Sequence, residues 1–441
     1  MSKEINEDEN KKPFIKEDDS GEVPKSKIIT YYALTVGTML LIVIIVFIIA
    51  VQFGGSSTTL DAEKSNSFKS KYNSEKNSKI KLFNTNLIKS ISSMKIDGKD
   101  VNITDEYIFD SKGEHIIEVN LKEDLNSFDR LFENCSDLVG VDLSQIRTDK
   151  LTNMSRMFYD CVKLVSIDVS KLNTSKVVDM GDLFNGCFEL GFINLNKIST
   201  INVERMNNMF YACIKLKSLY LQNFNTSKVE NMSGMFMRCS SLKELNLSNF
   251  KTNKVTNMKK MFDSCILLKS LDLNNFNTNN VIDMSFMFSG LSELTSINLS
   301  SFNTQKVINM NNMFYGCNSL KDINLKSFDT SNLKQMVNMF FNCESLTSLD
   351  LSNFDTKNVE NMGAAFASCK KLTNLDIRKF SSKNLITNII FSDLPEHGNI
   401  IYNSKYFNKN LFEKTGLEKW NLTDFTTIND DYLVLNKSIL N

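Results

Sequence analysis

Residues 209–234 read MFYACIKLKSLYLQNFNTSKVENMSG, and residues 235–260 continue with MFMRCSSLKELNLSNFKTNKVTNMKK. The second stretch answers the first slot for slot. Met-Phe opens each, Cys stands fifth, and L-x-x-L-x-L leads into N-F-x-T. A fixed period in this range is the signature of a solenoid, because no single unit can bury its own apolar residues and stacking supplies the core.

The cysteines carry the period outward. They fall at 135, 161, 187, 213, 239, 265, 317, 343 and 369, in steps of 26 except for one of 52, whose skipped slot is Leu291. Three residues after this slot is always Leu, from Leu138 to Leu372. Eleven after it is Phe from Phe224 to Phe380, and thirteen after it is Thr from Thr148 to Thr356, with Ser382 last. Ten turns over residues 131–390 therefore share one core.

Within a turn, L-x-x-L-x-L alternates with period 2 and predicts a short strand with its aliphatic residues inward. Successive strands would build a parallel sheet at ~4.8 Å spacing, and ten turns would extend roughly 45–50 Å. N-F-N-T turns a corner, its Asn and Thr bonding turn backbone. Beyond it, V-x-N-M-x-x-M-F has 3- and 4-residue apolar spacing, which suits a short helix or 3₁₀ turn on the opposite side, with a second short strand as the alternative. The expected fold is a leucine-rich-repeat-like solenoid.

The N-terminal part is different. No charge occurs between Lys27 and Asp61, and inside that gap lies YYALTVGTMLLIVIIVFIIAVQF, Tyr31–Phe53. At about 1.5 Å per residue it is long enough to cross a hydrocarbon core, and it exceeds the apolar run of a signal peptide. Lys11, Lys12, Lys16, Lys25 and Lys27 precede it, whereas nothing basic follows until Lys64. The positive-inside rule then puts a head (1–27) in the cytoplasm, a membrane anchor at 28–53 and the rest outside the cell. Polar residues 54–79 read as a flexible stalk. Turn signals DGK and SKG between alternating runs predict hairpins in an N-terminal cap, 80–130. Residues 391–441 lose the period and would cap the other end.

Composition narrows the chemistry. Lys+Arg and Asp+Glu are equal at 51 each, so no global field draws the chain to nucleic acid. The two histidines, His115 and His397, and the absence of a C-x-x-C pair argue against His-based catalysis and zinc. No nucleophile motif or phosphate loop is present. Nothing points to an enzyme, to zinc or to a cofactor. The cysteine slot sits among Met, Phe and Leu and reads as a buried ladder, with bridges between adjacent turns as the alternative.

The candidate site is the outward face of the strands. Between the two strand aliphatics stand Asp142, Asp168, Asn194, Tyr220, Asn246, Asp272, Asn298, Asn324, Asp350 and Asp376. This row reads either as a solvated polar face or as a partner-binding or calcium-attracting one. Phe192 and Tyr220 place aromatics where polar or small residues are usual, and exposed aromatics anchor interfaces. Lys217, Lys243, Lys269 and Lys321 add a mild basic stripe, which beside the acidic row selects no partner by charge alone. A further ladder, Asn153, Asp179, Asn231, Asn257, Asp283, Asn309 and Asn361, is expected to bond exposed turn backbone.

The units LKELNLSNFKTNKVTNMKKMFDSC and LTSLDLSNFDTKNVENMGAAFASC resemble the BspA-like leucine-rich-repeat surface proteins, the repeat type of mycoplasma surface lipoproteins and of some other bacterial and protist proteins. The resemblance covers about residues 131–390. It implies a solenoid displayed at the cell surface with a role in adhesion, and brings no catalytic residues. This chain departs from the lipoprotein members in lacking a lipid-accepting Cys. The expectation is a membrane-anchored protein that binds an extracellular protein or glycan. The alternative is a structural or antigenic coat.

Overall fold

The computed structural model describes residues 64–383, 389–412 and 417–427. The segment Tyr31–Phe53 lies outside them, and among the described residues no helix is long and apolar enough to cross a membrane. The repeats form a β-solenoid whose core is one continuous apolar column. In the turn opened by Met235, the side chains of Met235, Phe236, Cys239, Leu242, Leu245, Leu247, Phe250, Val255 and Met258 are all buried.

Like side chains stack on like. The Phe that opens each turn packs on its successor from Phe132 through Phe158, Phe184, Phe210, Phe236, Phe262, Phe288, Phe314, Phe340 and Phe366 to Phe391, with near-parallel rings. Such offset stacks add to simple area burial. A buried Thr column runs beside it. The Thr226 hydroxyl donates to the Lys251 carbonyl at 3.0 Å and accepts that residue's N–H at 2.7 Å. Both capacities of a buried hydroxyl are thereby satisfied.

The V-x-N-M-x-x-M-F segment is neither helix nor strand. Two positions per turn, five and one before the Cys slot, have positive φ, as at Gly234 (60°) and Arg238 (61°) or Lys260 (59°) and Ser264 (62°). A left-handed residue every fourth position forbids a helix. It produces consecutive tight turns instead. Met237 N–H bonds the Gly234 carbonyl at 3.0 Å within the turn, while Phe236 and Arg238 donate to Met261 (3.0 Å) and Asp263 (2.7 Å) of the next. Alternate amides thus close the turn and tie the stack. At Gly234 a Cβ would stand 2.1 Å from Asn208 Oδ1, the movable end of a side chain, and other turns carry Arg130, Lys260 or Asn312 at this slot with the same left-handed φ. At the third position of this segment, single parallel bridges link Ser127, Asn153, Asp179, Arg205 and onward to Asn361.

The strand side differs at its two ends and its middle. In the N-terminal region, β1 (Ser67–Ser74), β2 (Lys79–Lys81), β3 (Ile91–Ile96), β4 (Lys99–Val101), β5 (Glu106–Ile108) and β6 (Gly113–Leu121) precede β7 (Leu138–Asp142), the strand of the first turn. One antiparallel sheet has the order β4-β3-β6-β1-β7, so the cap hands its hydrogen bonds directly to the solenoid. Part of the expected stalk is therefore an inner strand of this sheet, β1, paired between β6 and β7. In β1, SFKSKYNS alternates, with Phe68, Ser70, Tyr72 and Ser74 inward while Lys69 and Lys71 meet Glu118 and Glu114 outside. Its Lys, Ser and Asn content masked that alternation. The DGK turn closes a β3–β4 hairpin through Asp97 and Gly98, both at positive φ, as a two-residue connection demands. The SKG turn does not close one: β5 pairs with β2, and β6 pairs with β1 and β3.

Next come β8 (Ser166–Asp168) and β9 (Phe192–Asn194), which pair in parallel. No strand follows among the described residues until β10 (Ser348–Asp350) and β11 (Asn374–Asp376), so the expected unbroken sheet is open in the middle. Beyond the repeats, β12 (Asn399–Tyr402) and β13 (Asn421–Asp424) extend the β10–β11 sheet in parallel, with Asn374, Asn399 and Asn421 in register. The C-terminal segment thus adds rungs at shortened steps rather than only covering the last one. Trp420 seals it, buried with its indole N–H on the Pro395 carbonyl at 2.8 Å. A Cβ on Gly398 would meet that ring at 2.8 Å.

Candidate functional site

The outward row of acids and amides is built by one local device. Ser144 N–H donates to Asp142 Oδ1 (2.8 Å), Ser170 N–H to Asp168 (2.8 Å), Asn274 N–H to Asp272 (3.1 Å) and Ser352 N–H to Asp350 (3.0 Å). Asn194, Asn246, Asn298 and Asn324 accept in the same way. Each is an Asx turn that bends the chain out of the strand slot, and Asn serves it as well as Asp. Among the described residues no group of three or more His, Cys, Asp or Glu is arranged to hold a metal ion. The Asn153–Asn361 ladder does the same work on the other side, for example Ser233 N–H on Asn231 at 2.9 Å.

Asp376 departs from the row. It was expected on the open face, yet it is only 1% exposed. The Arg378 guanidinium grips both its carboxylate oxygens and in turn lies 4.5 Å from the Phe425 ring centre. The C-terminal strands and Phe425 cover this end, and a carboxylate can be buried there because Arg378 neutralises and bonds it. Asp142 and Asp350 are half-buried, whereas Asp168 and Asp272 are exposed.

Phe192 and Tyr220 do stand in the open, at 37% and 48%. They are not alone. Val165, Phe188 and Ile214, on the same and adjacent turns of this edge, are exposed too, Val165 at 55%. Ser166 pairs with Phe192 across β8–β9, which sets Val165 beside Gly191 and the aromatic. Phe188 and Ile214 share the slot one after Cys, which elsewhere holds Ser136, Val162, Ser240, Ile266, Ser292, Asn318, Glu344 and Lys370, so an apolar residue there did not by itself mark the cluster. Two wide concavities lie further along. One of about 690 Å³ is lined by Lys357, Arg378, Lys379, Tyr406 and Phe425, another of about 720 Å³ by Lys321, Asp322, Asn324, Asp350 and Lys371. Neither contains Phe192 or Tyr220.

The cysteines form a free, buried ladder. Each thiol from Cys161 onward donates to the carbonyl of a Phe in the preceding turn, as Cys239 does to Phe210 at 3.1 Å. Burial pushes the Cys239 thiol up from 9.0 to about 12, which removes the thiolate that nucleophilic chemistry or metal binding requires. His115 is a cap residue, bonded to Asp97 at 2.7 Å and stacked on Phe109 at 4.0 Å. His397 is exposed.

The family model described as "Mycoplasma protein of unknown function, DUF285" matches residues 126–220, 183–297, 215–321 and 292–397, more than half of the chain. No curated protein matches it. Among solved structures, the one titled "Crystal structure of TLR13-ssRNA13 complex" is similar at 18% identity and a TM-score of 0.21, over 62% of this chain and 45% of that one. This chain thus spans under half of that protein's length. The chain belongs to the Mycoplasma family of unknown function whose model it matches.

Proposed function

We propose that this member of the family is a non-catalytic surface protein of the BspA-like type, held by one N-terminal span with the solenoid outside the cell, and that it binds protein or glycan partners through its strand-side edge. The observation that carries the reading is the cluster of exposed apolar side chains at Val165, Phe188, Phe192, Ile214 and Tyr220. Large apolar groups gathered on one edge, where neighbouring turns present Ser, Lys and Asn, are what interfaces use as anchors. The apolar run Tyr31–Phe53 supports the anchored arrangement, and many copies on one membrane would add avidity to weak individual contacts.

The test is attachment of cells displaying the full chain to host-cell surfaces, matrix proteins and glycan arrays, beside cells displaying Phe192→Ser/Tyr220→Asn. Both replacements are residue types already found at those slots in other turns, so folding should persist. Saturable attachment lost in the variant supports the reading. Attachment to nothing by a folded chain moves the weight to a coat without a dedicated ligand.

A further inference from the structure

At the slot four residues after Cys, the backbone of each turn donates to the turn before it. Val165 N–H bonds the Val139 carbonyl at 3.3 Å and Gly191 bonds Val165 at 3.0 Å. The series resumes with Lys321 on Thr295 (3.2 Å), Thr347 on Lys321 (3.4 Å) and Thr373 on Thr347 (3.0 Å). Between them, among the described residues, the N–H groups of Lys217, Lys243, Lys269 and Thr295 make no such bond. Every missing rung has one of three consecutive lysines on at least one side. A lone lysine, Lys321 between two threonines, keeps its rungs.

Lys217, Lys243 and Lys269 are exposed and stacked one per turn. The rings opening the same turns are 5.9 and 5.8 Å apart, so the ammonium stems start from a comparable spacing. Like charges directly opposite one another on neighbouring strands oppose pairing. Glu189, Glu244, Asp272 and Glu293, the acids on this edge of turns three to seven, form no direct ion pair with them among the described residues. The row is thus a line of exposed cations along the solenoid axis, with Lys215 beside it and the exposed Tyr220 ring at its N-terminal end.

We propose that a linear sulfated polysaccharide binds along Lys217, Lys243 and Lys269, with Tyr220 against a sugar face, and that its sulfates allow the broken rungs to close. This rests on the reading above that the strand-side edge is the binding edge, and it names the partner class. Lysine point charges repeated along a line suit sulfates repeated along a chain. A single-stranded nucleic acid would want an aromatic platform for successive bases, and the row has only Tyr220.

The experiment uses the full chain in detergent micelles, with heparin as the probe and desulfated heparin and oligo-dT as comparisons. Lys217→Thr/Lys243→Thr/Lys269→Thr takes the residue found at 295, 347 and 373. Lys176→Thr/Lys228→Thr/Lys254→Thr removes the same charge from another edge. The expected result is heparin binding that weakens with salt, falls at least tenfold in the first triple variant and by less than twofold in the second, and is absent with desulfated heparin. Amide exchange at 217, 243, 269 and 295 should slow with heparin, and also in the unliganded first variant, which checks that this variant is folded. Equal loss in both variants, equal binding of oligo-dT, or unchanged exchange at those amides overturns the proposal. If these fail while Phe192→Ser/Tyr220→Asn still abolishes cell attachment, the broader reading stands and only this partner class falls.

Discussion

Asp272 and its counterparts are turn formers before they are charges. Because the Asn274 N–H needs an acceptor and not a negative one, Asp272→Asn should leave the melting temperature almost unchanged. Asp272→Ala should cost about 0.5–1.5 kcal/mol, the usual net value of such a bond. Calorimetry on the two variants checks this, and an equal loss in both would mean that the carboxylate charge itself matters. The cysteines give a pH dependence. The Cys239 thiol sits near 12 in the fold against 9.0 unperturbed. Below pH 9 it is protonated in both states and contributes nothing to pH dependence. Above pH 9 the unfolded chain releases a proton that the native one keeps, so stability falls as pH rises toward 12, by up to about 1.4 kcal/mol per pH unit for each such thiol. Denaturant titrations at pH 8 and 10 measure the drop. A thiol reagent should leave the native chain unlabelled at pH 8.

The columns and caps act as elements. Thr252 donates to the Asn277 carbonyl at 2.8 Å and accepts the Asn277 N–H at 2.8 Å, so Thr252→Val keeps the shape and strands both partners. The expected cost is about 1–3 kcal/mol by denaturant unfolding, against almost none at an exposed residue such as Thr256. The N-terminal cap depends on β1, whose Phe68 packs edge-on to Phe132 at 5.5 Å, the first ring of the long stack. A chain beginning at residue 64 should fold. One beginning at residue 80 loses β1, uncovers β7 and Phe132, and should melt well below the longer chain or aggregate. Circular dichroism and light scattering on the two truncations separate these outcomes.

The solenoid taken as a whole is nearly one-dimensional, since each turn touches only its neighbours. Removing residues 235–260 deletes one whole period and brings Gly234 against Met261, the residue that Met235 equals in phase. The shortened solenoid should fold cooperatively, with a denaturant slope reduced by roughly a tenth because the slope follows the surface exposed on unfolding. Removing residues 235–247 instead puts Leu-rich and Met-rich segments out of register, and should destroy cooperative unfolding. A slope unchanged by the first deletion would mean that the turns do not unfold together.

Much was legible from the spacing alone. The 26-residue recurrence of Cys, Leu, Phe and Thr determined the solenoid, the number of turns and which side chains share the core, because burial of like on like is a local, repeated requirement. The exposure of Phe192 and Tyr220 was legible too, as aromatics in polar slots. Only the tertiary structure decided the rest. Left-handed residues such as Arg238 and Ser264 carry no distinctive side-chain signature, so tight turns passed for a helix. Phe68 and Tyr72 became core only when β6 and β7 closed around them. Asp376 left the surface because Arg378 and Phe425 cover it, and the strand ladder is open between β9 and β10 among the described residues. Each of these outcomes depends on what neighbouring turns place opposite a residue, and a single turn's sequence does not contain its neighbours.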